Sequence, residues 1–215
     1  MKDYKKVKWS MWTLIAVSML LAMFLRLSTS VITDNLENEL GFTRLQISNI
    51  STITLYSYAF LQIPAGLMID KYGSKKVTGF GIIVAGVGSF MFGMVNNLYV
   101  AYLSRMLIGA GTAGILLSSM KIQVNWFNEE EFTNLTSKMA LIASIGGLCA
   151  TFPLVILNDF WGWRNTFLLI GVIAVVQGII ILIKLKDTPK EYGFDVTKEV
   201  KIEKISVIEG LKSVL

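Results

Sequence analysis

Two arginines lie within apolar stretches of this sequence, where a charged side chain needs a polar surrounding. Arg26 stands in the first of these stretches and Arg105 in the fourth. An arginine in the hydrocarbon core of a bilayer costs at least ~2.5 kcal/mol unless it faces a cavity or a partner. Because a guanidinium binds a carboxylate or phosphate through two parallel hydrogen bonds, an anionic substrate would suit both positions. The alternative for Arg26 is a side chain that extends to the outer membrane surface.

Further polar side chains lie on the second apolar stretch, at Asn49, Tyr58 and Gln62. Tyr58 and Gln62 are four residues apart and therefore share one face of a helix. We predict that these three residues, together with Arg26 and Arg105, line a substrate cavity. The alternative is that the polar groups only hydrogen-bond to a neighbouring helix, as polar side chains in membrane bundles often do.

The length and number of the apolar stretches predict the elements that carry these residues. The chain has 215 residues, of which 53% are hydrophobic and 16% charged, whereas a soluble domain has about 25% charged residues. A transmembrane helix takes about 20 apolar residues. The sequence therefore predicts an all-α membrane protein with a bundle at residues 9–183, whose six spans cover about 9–32, 45–69, 77–95, 98–120, 135–157 and 166–183. The acidic segment that carries Asp34, Glu37 and Glu39 is predicted to be a loop between spans 1 and 2.

The composition argues against several kinds of site. The sequence has no His, and its one Cys, Cys149, lies in an apolar stretch. We therefore predict no disulfide, no metal site and no cofactor. The spans carry no paired carboxylates, so the chain is not expected to be an enzyme. The net charge of +5 follows from lysines at the ends of the spans, so no nucleic-acid partner is predicted.

The lysines predict the orientation in the membrane. Of the 16 lysines, 15 lie in the N-terminus, between spans 2 and 3, between spans 4 and 5, or after span 6, and Lys138 lies in the first turn of span 5, on the same side. Lys and Arg are enriched in cytoplasmic loops. We therefore expect both termini on the cytoplasmic side, with residues 1–8 as a basic N-terminus and residues 184–215 as a cytoplasmic linker.

The turn between spans 2 and 3 combines one acidic residue with several lysines. Asp70 lies at the C-terminal end of span 2, where the helix dipole disfavours a negative charge. It therefore needs a partner, and the nearby cations are Lys71, Lys75 and Lys76. Gly73 suits a tight turn because glycine tolerates positive φ.

The pattern of this turn, Gly66-x-x-x-Asp70-Lys71-x-Gly73-x-Lys75-Lys76, resembles the signature between helices 2 and 3 of major facilitator superfamily (MFS) transporters. That signature reads G-x-x-x-D-[RK]-x-G-[RK]-[RK], and Ser74 stands where the family usually has a cation. In the family, this conformational loop helps to latch the two halves of the transporter on the cytoplasmic side. The sequence Arg105-x-x-x-Gly109-x-Gly111 is similar to the fourth-helix motif of the family, in which the arginine is often structural or implicated in proton coupling.

The resemblance implies the fold of an amino-terminal MFS half, with six transmembrane helices arranged as two inverted three-helix repeats. An internal echo supports this arrangement, because residues 70–75 (D-x-x-G-x-K) are similar to residues 159–164 (D-x-x-G-x-R). In the family, spans 1 and 4 line the cavity. Arg26 and Arg105 lie about 9 and about 10 Å from the outer ends of their spans, at 1.5 Å per residue. They are therefore expected to face one aqueous pocket.

The resemblance further implies a secondary active transporter of a small organic solute that works by alternating access. The two arginines favour an anion, and so does Gly162-Trp163-Arg164, which occurs at the same place in several organic-anion and carboxylate branches. The expected partners are the lipid bilayer, the solute, a coupling ion where transport is ion-driven, and a carboxy-terminal six-helix half that this chain lacks. The expected location is the bacterial inner membrane.

Two other functions remain open at this point. One is an amino-acid or dipeptide carrier of the same superfamily, in which the arginines would bind the substrate carboxylate. The other is a six-helix scaffold or receptor that transports nothing, since alternating access in the family requires two six-helix bundles.

Overall fold

The computed structural model describes residues 4–194, and all regular elements within that range are helical. The α-helices of this range are α1 (Tyr4–Leu27), α2 (Thr33–Leu40), α3 (Arg44–Tyr72), α4 (Ser74–Gly93), α5 (Leu98–Thr112), α6 (Ile115–Trp126), α7 (Glu129–Cys149), α8 (Phe152–Trp161) and α9 (Trp163–Lys184). Short 3-10 helices cover Ser30–Ile32 and Pro189–Tyr192.

By length and composition, the described helices form six candidate membrane spans. In chain order, spans 1 to 6 are Tyr4–Leu40, Arg44–Tyr72, Ser74–Gly93, Leu98–Trp126, Glu129–Trp161 and Trp163–Lys184. The predicted all-α membrane protein with six spans is confirmed. The start of the basic N-terminus and most of the predicted cytoplasmic linker, from residue 195 onward, lie outside the described residues.

The segment after α1 differs from the acidic loop that the sequence predicts. Residues Thr33–Leu40 form α2, which ends at Gly41 in the left-handed conformation with a φ of 67°. Leu36 is fully buried and packs with Ile32 and Phe42 in an apolar cluster. The loop prediction was wrong because it weighted the acidic residues, whereas burial of the apolar side stabilises most short helices in proteins.

Two turns show the inverted repeat in the backbone. Gly73, between spans 2 and 3, has a φ of 89° and a ψ of 160°, and Gly162, between spans 5 and 6, has a φ of 80° and a ψ of 146°. Each donates its N–H to the carbonyl four residues earlier, and the positive φ favours glycine at both positions. Successive spans alternate in direction, so these matching turns lie at opposite ends of the bundle. The predicted pair of inverted three-helix repeats is confirmed.

The packing of the spans follows the same repeat, in which spans 1, 2 and 3 correspond to spans 4, 5 and 6. Span 4 lies against span 2 at Gly109, where the backbone of Thr54 leaves no room for a Cβ. Span 5 lies against span 1 in the same way at Gly146, which faces the backbone of Leu20. Spans 3 and 6, which occupy corresponding positions in the two repeats, pack along their length through facing glycines. Small residues permit such close approach of membrane helices.

Spans 2 and 5 are less covered than the other described spans. In their most apolar stretches, 17% of span 2 and 22% of span 5 are buried inside the bundle, against 44% to 61% for the other four spans. Span 2 packs on span 4 and span 5 packs on span 1, so spans 1 and 4 lie between them. This side of the bundle carries the candidate cavity.

Candidate functional site

Arg26 and Tyr58 come together from spans 1 and 2. Arg26 lies in the last turn of α1, and the central carbon of its guanidinium is 4.2 Å from the centroid of the Tyr58 ring. The face of an aromatic ring attracts a cation by ~0.5–2 kcal/mol, depending on how far water is excluded. The Arg26 Nη2 also contacts the sulfur of Met23. Arg26 and Tyr58 are both half-buried.

None of the ion pairs among the described residues involves Arg26. The pairs of the described residues include Lys8–Glu131, Arg44–Glu37, Lys121–Asp70 and Arg164–Glu39. The Nε of Arg26 is buried and has no hydrogen-bond partner in the described part of the chain. Because a guanidinium at membrane depth is costly without a counter-charge, this arrangement favours the binding of an anion.

A cavity of about 320 Å³ adjoins this pair between spans 1, 4 and 5. Four methionines line it, namely Met19 and Met23 from span 1, Met120 from span 4 and Met139 from span 5. Met23 therefore belongs both to the cavity wall and to the Arg26 contact. Gln123 and Thr136 also line the cavity and are joined by a 3.1 Å hydrogen bond from the Thr136 hydroxyl. Methionine side chains are flexible and polarizable, so such a wall adapts to ligands of varied shape.

Arg105 lies in a different environment. Its side chain is fully buried, with the guanidinium carbon 3.8 Å from the ring centroid of Phe92 and 5.2 Å from that of Phe167. Its Nη1 donates to the Leu25 carbonyl at 3.2 Å and to the Ser28 Oγ at 3.4 Å. The expectation that the two arginines face one aqueous pocket is therefore wrong for this structure, because the packing of spans 1, 3 and 6 encloses the side chain of Arg105.

The remaining candidates on span 2 are separated along the helix. Gln62 is half-buried one turn beyond Tyr58. Asn49 is exposed and precedes Tyr58 by nine residues, which is about 14 Å along a helix at 1.5 Å per residue. Gln62 is thus adjacent to the Arg26–Tyr58 pair, whereas Asn49 is not part of the same site.

The turn between spans 2 and 3 is held by partners from distant parts of the chain. Asp70 pairs with Lys121 of span 4 at 2.8 Å, and Lys121 also donates to the Ile69 carbonyl at 3.2 Å. A cation at the C-terminal end of a helix complements the helix dipole. The expectation that a lysine of the turn itself pairs with Asp70 is wrong, because packing of span 4 against span 2 brings Lys121 closer.

A second carboxylate, Asp187, fixes the start of span 3. Its Oδ1 accepts a 2.8 Å hydrogen bond from the backbone N–H of Lys75, and its carboxyl group occupies the space where a Cβ on Gly73 would lie. Burial raises the pKa of the Asp187 carboxyl. Ser74, at the position where the MFS signature usually has a cation, is only 1% exposed. This position therefore accommodates a small side chain rather than a solvated charge.

The other residues of the turn motif are more open. Lys71 and Lys76 are exposed, and the Lys71 Nζ is 5.1 Å from the Tyr72 ring centroid. A Cβ on Gly66 would meet the Leu117 side chain at an ordinary distance of 3.4 Å.

Sequence reasoning did not single out Lys121 or the cavity methionines, and it did not predict that Asp187 contacts the start of span 3. Lys121 follows Asp70 by 51 residues, and Asp187 follows Lys75 by 112 residues. A charge at the end of an apolar span, opposite an acid at the end of another span, was the available signal for Lys121. The methionines carry no such signal, because lipid-facing and cavity-facing methionines have the same chemistry.

The sequence is similar to those of curated membrane transporters. It is 24% identical over 78% of its length to a probable sulfoacetate transporter of Cupriavidus necator, of which it covers 39%. It is 24% identical over 85% of its length to a probable hexose phosphate transport protein of Chlamydia muridarum, of which it covers 40%. It is 27% identical over 72% of its length to a probable L-galactonate transporter of Escherichia coli, of which it covers 34%. The chain thus spans about two fifths of the length of the curated relatives that it matches.

The fold is similar to that of a bacterial homolog of the human lysosomal transporter Spinster, solved in an inward-facing and unoccupied conformation. The TM-score is 0.76 at 15% identity, over 99% of this chain and 49% of that one, so the likeness concerns the fold alone. The relatives are transporters, which confirms the prediction that the chain is not an enzyme. The sequence profile of the Major Facilitator Superfamily matches residues 14–214, and the chain therefore belongs to the Major Facilitator Superfamily.

Proposed function

We propose that this chain forms the amino-terminal half of a secondary active transporter for a small organic anion. The observation that carries the proposal is the Arg26 guanidinium, which stacks on Tyr58 beside a cavity and has no carboxylate partner among the described residues. A guanidinium recognises a carboxylate or phosphate through two parallel hydrogen bonds. The site thus offers a cation that is positioned by an aromatic ring and that has no counter-charge within residues 4–194.

The names of the relatives support the same class of substrate. Sulfoacetate, hexose phosphate and L-galactonate, the solutes in three of those names, each carry an anionic group. In the proposed site, Arg26 binds this group, Tyr58 holds the guanidinium in place, and Gln62 hydrogen-bonds to a polar group of the solute. The methionine-lined cavity contacts the rest of the solute. Arg105 takes a structural role in this proposal, because its side chain is enclosed.

The partner in this proposal is a second six-helix bundle that completes the transporter. The low burial of spans 2 and 5 supports it, and so does the coverage of about two fifths of each relative. In alternating access the two bundles rock around a central site. The turn with Asp70 and Lys121 then closes against the second bundle, and an ion or solute gradient drives the cycle. If the sequence that follows Leu215 in the coding region holds six further apolar spans, this part of the proposal is supported; a stop codon there contradicts it.

We place both termini on the cytoplasmic side of a bacterial inner membrane, because the lysines gather at the ends of the spans on that side. Labelling checks this orientation. A cysteine in place of Lys6, in a Cys149→Ala background, reacts with a membrane-impermeant maleimide in inverted vesicles and not in intact cells. Reaction in intact cells contradicts the orientation.

Transport by the complete protein in proteoliposomes tests the substrate class. Sulfoacetate, a hexose phosphate, a hexonate and a dipeptide are offered in turn. For the solute that is taken up, Arg26→Ala lowers kcat/KM about tenfold or more, since a hydrogen bond to a charged group contributes ~1.5–3 kcal/mol. Arg26→Lys loses part of this activity because lysine lacks the two-pronged geometry.

Arg44→Ala is the matched control, because Arg44 is on the neighbouring span with a side chain that is 85% exposed. Uptake that survives Arg26→Ala as well as it survives Arg44→Ala refutes the role of Arg26. Uptake of the dipeptide alone favours the amino-acid or dipeptide carrier. The absence of uptake for all solutes, with a folded protein, favours the scaffold or receptor.

A further inference from the structure

A groove of about 490 Å³ lies between spans 2, 3 and 4 and shares no lining residue with the methionine-lined cavity. Met68 from span 2 and Phe80 and Val84 from span 3 form its walls, and each of these side chains is exposed at the surface of the bundle. Gly81 and Gly111 form its floor, where the two backbones approach so closely that neither position has room for a Cβ. The groove therefore exists because spans 3 and 4 meet without side chains between them.

One end of this groove is aromatic and basic. Tyr72 and Lys76 line the end next to the turn between spans 2 and 3. Lys71 lies over the Tyr72 ring, with 5.1 Å between its Nζ and the ring centroid. Lys71, Lys75 and Lys76 take part in none of the ion pairs among the described residues. Tyrosine and lysine are typical of the layer where the hydrocarbon core meets water.

The length of the groove matches one leaflet of a bilayer. From Lys76 to Val84 it follows α4 for about 12 Å, at 1.5 Å per residue. One leaflet is about 15 Å deep, which is half of the ~30 Å hydrocarbon core. The groove thus begins at the interface, beside the lysines, and ends inside the same leaflet.

We propose that this groove binds one acyl chain of an anionic phospholipid, with the phosphate of the headgroup beside Lys76. The apolar walls accommodate the chain, and Lys71 and Lys76, which form no ion pair among the described residues, complement the negative headgroup. Basic pockets between transmembrane helices bind anionic headgroups in this way, and each lysine near the surface contributes ~1 kcal/mol. The proposal does not depend on which solute is transported, nor on which leaflet faces the turn.

Native mass spectrometry of the complete protein tests this site. The protein is titrated with phosphatidylglycerol and with phosphatidylcholine that carry the same acyl chains. Lys76→Gln removes the headgroup contact, and Lys6→Gln removes the same charge from the exposed start of α1. Val84→Phe fills the groove, and Val172→Phe adds the same ring to the exposed side of span 6.

Lys76→Gln is expected to weaken phosphatidylglycerol binding about fivefold, which corresponds to the ~1 kcal/mol contribution of one lysine, and to leave phosphatidylcholine binding unchanged. Val84→Phe is expected to abolish the tightest bound lipid of either kind, while both control variants bind as the native protein does. Equal effects of Lys76→Gln and Lys6→Gln overturn the headgroup assignment. Equal effects of Val84→Phe and Val172→Phe on lipid binding show that the groove is not a lipid site. That result is also expected if another helix of the complete protein covers the groove, and it overturns the proposal in either case.

Discussion

Replacement of Arg105 by methionine tests the balance of forces on the buried guanidinium. Arg105 is fully buried, and its Nε and Nη2 have no hydrogen-bond partner among the described residues. Each buried polar group without a partner costs ~1–3 kcal/mol, and the charge at membrane depth costs at least ~2.5 kcal/mol more. These terms oppose folding.

Two favourable contacts act against them. The Nη1 of Arg105 donates hydrogen bonds to the Leu25 carbonyl at 3.2 Å and to the Ser28 Oγ at 3.4 Å. Counted as one hydrogen bond of a charged group, the pair stabilises the folded state by ~1.5–3 kcal/mol. The stack on Phe92, at 3.8 Å, adds ~2 kcal/mol for a cation from which water is excluded. The unfavourable terms are larger. We therefore expect Arg105→Met, which fills similar space without charge, to raise the free energy of unfolding by about 1–3 kcal/mol, as apolar replacements of buried ionic groups often do.

Thermal unfolding of the complete protein in detergent, followed by tryptophan fluorescence, measures the change. For a chain of 150–250 residues, 1 kcal/mol corresponds to about 2–4 °C in Tm, and in the longer complete protein the same free energy gives a smaller shift. Arg105→Ala is the control, because it removes the charge but leaves a cavity, and it lowers Tm below that of the native protein. A Tm of Arg105→Met that falls as far as that of Arg105→Ala refutes the reasoning, since the guanidinium would then have partners beyond the described residues.

Three further predictions concern the packing and the turns. Gly109→Ala destabilises the protein by about 1–3 kcal/mol, because span 2 leaves no room for a Cβ at this position. Gly147→Ala is the control and unfolds near the native temperature, because its Cβ would meet only the end of a leucine side chain, at 3.1 Å. Equal losses of stability in the two variants contradict the packing argument. Burial raises the pKa of Asp187 above its ordinary value of 3.8, so the folded state favours the protonated form and loses stability as the pH rises through the raised pKa. Asp187→Asn keeps the acceptor for the backbone N–H at the start of α4, and its stability relative to the native protein rises as the pH rises above 3.8. Asp187→Ala loses about 1 kcal/mol with the cap. Chemical unfolding at several pH values measures both, and a stability difference between Asp187→Asn and the native protein that does not grow with pH overturns the assignment. A double-mutant cycle on Asp70 and Lys121 gives a coupling energy below about 1 kcal/mol, because the Asp70 side chain is 78% exposed; a larger coupling shows that this pair is shielded from water in the complete protein.

The spans and the repeat were predictable because they depend on the chain itself. A stretch of about 20 apolar residues partitions into a bilayer whatever its neighbours are. The matching turns at Gly73 and Gly162 were visible as a sequence echo, and their positive φ values of 89° and 80° follow from a glycine requirement that is local to each turn. Within residues 4–194, sequence reasoning misjudged the segment Thr33–Leu40, which folds as a helix because Leu36 is buried by distant residues.

The candidate site was predictable only in part. The sequence by itself determined which polar residues enter the membrane, because charged and hydrogen-bonding groups are conspicuous in apolar stretches. Only the tertiary structure decided that Arg26 meets Tyr58, that Arg105 is enclosed by Phe92 and that Asp70 pairs with Lys121 rather than with a lysine of its own turn. The physical reason is that the spans are apolar on nearly every side, so their sequences carry little periodicity to show which face meets which neighbour. Close packing between glycines of different spans sets those neighbours, and it depends on residues far apart in the chain.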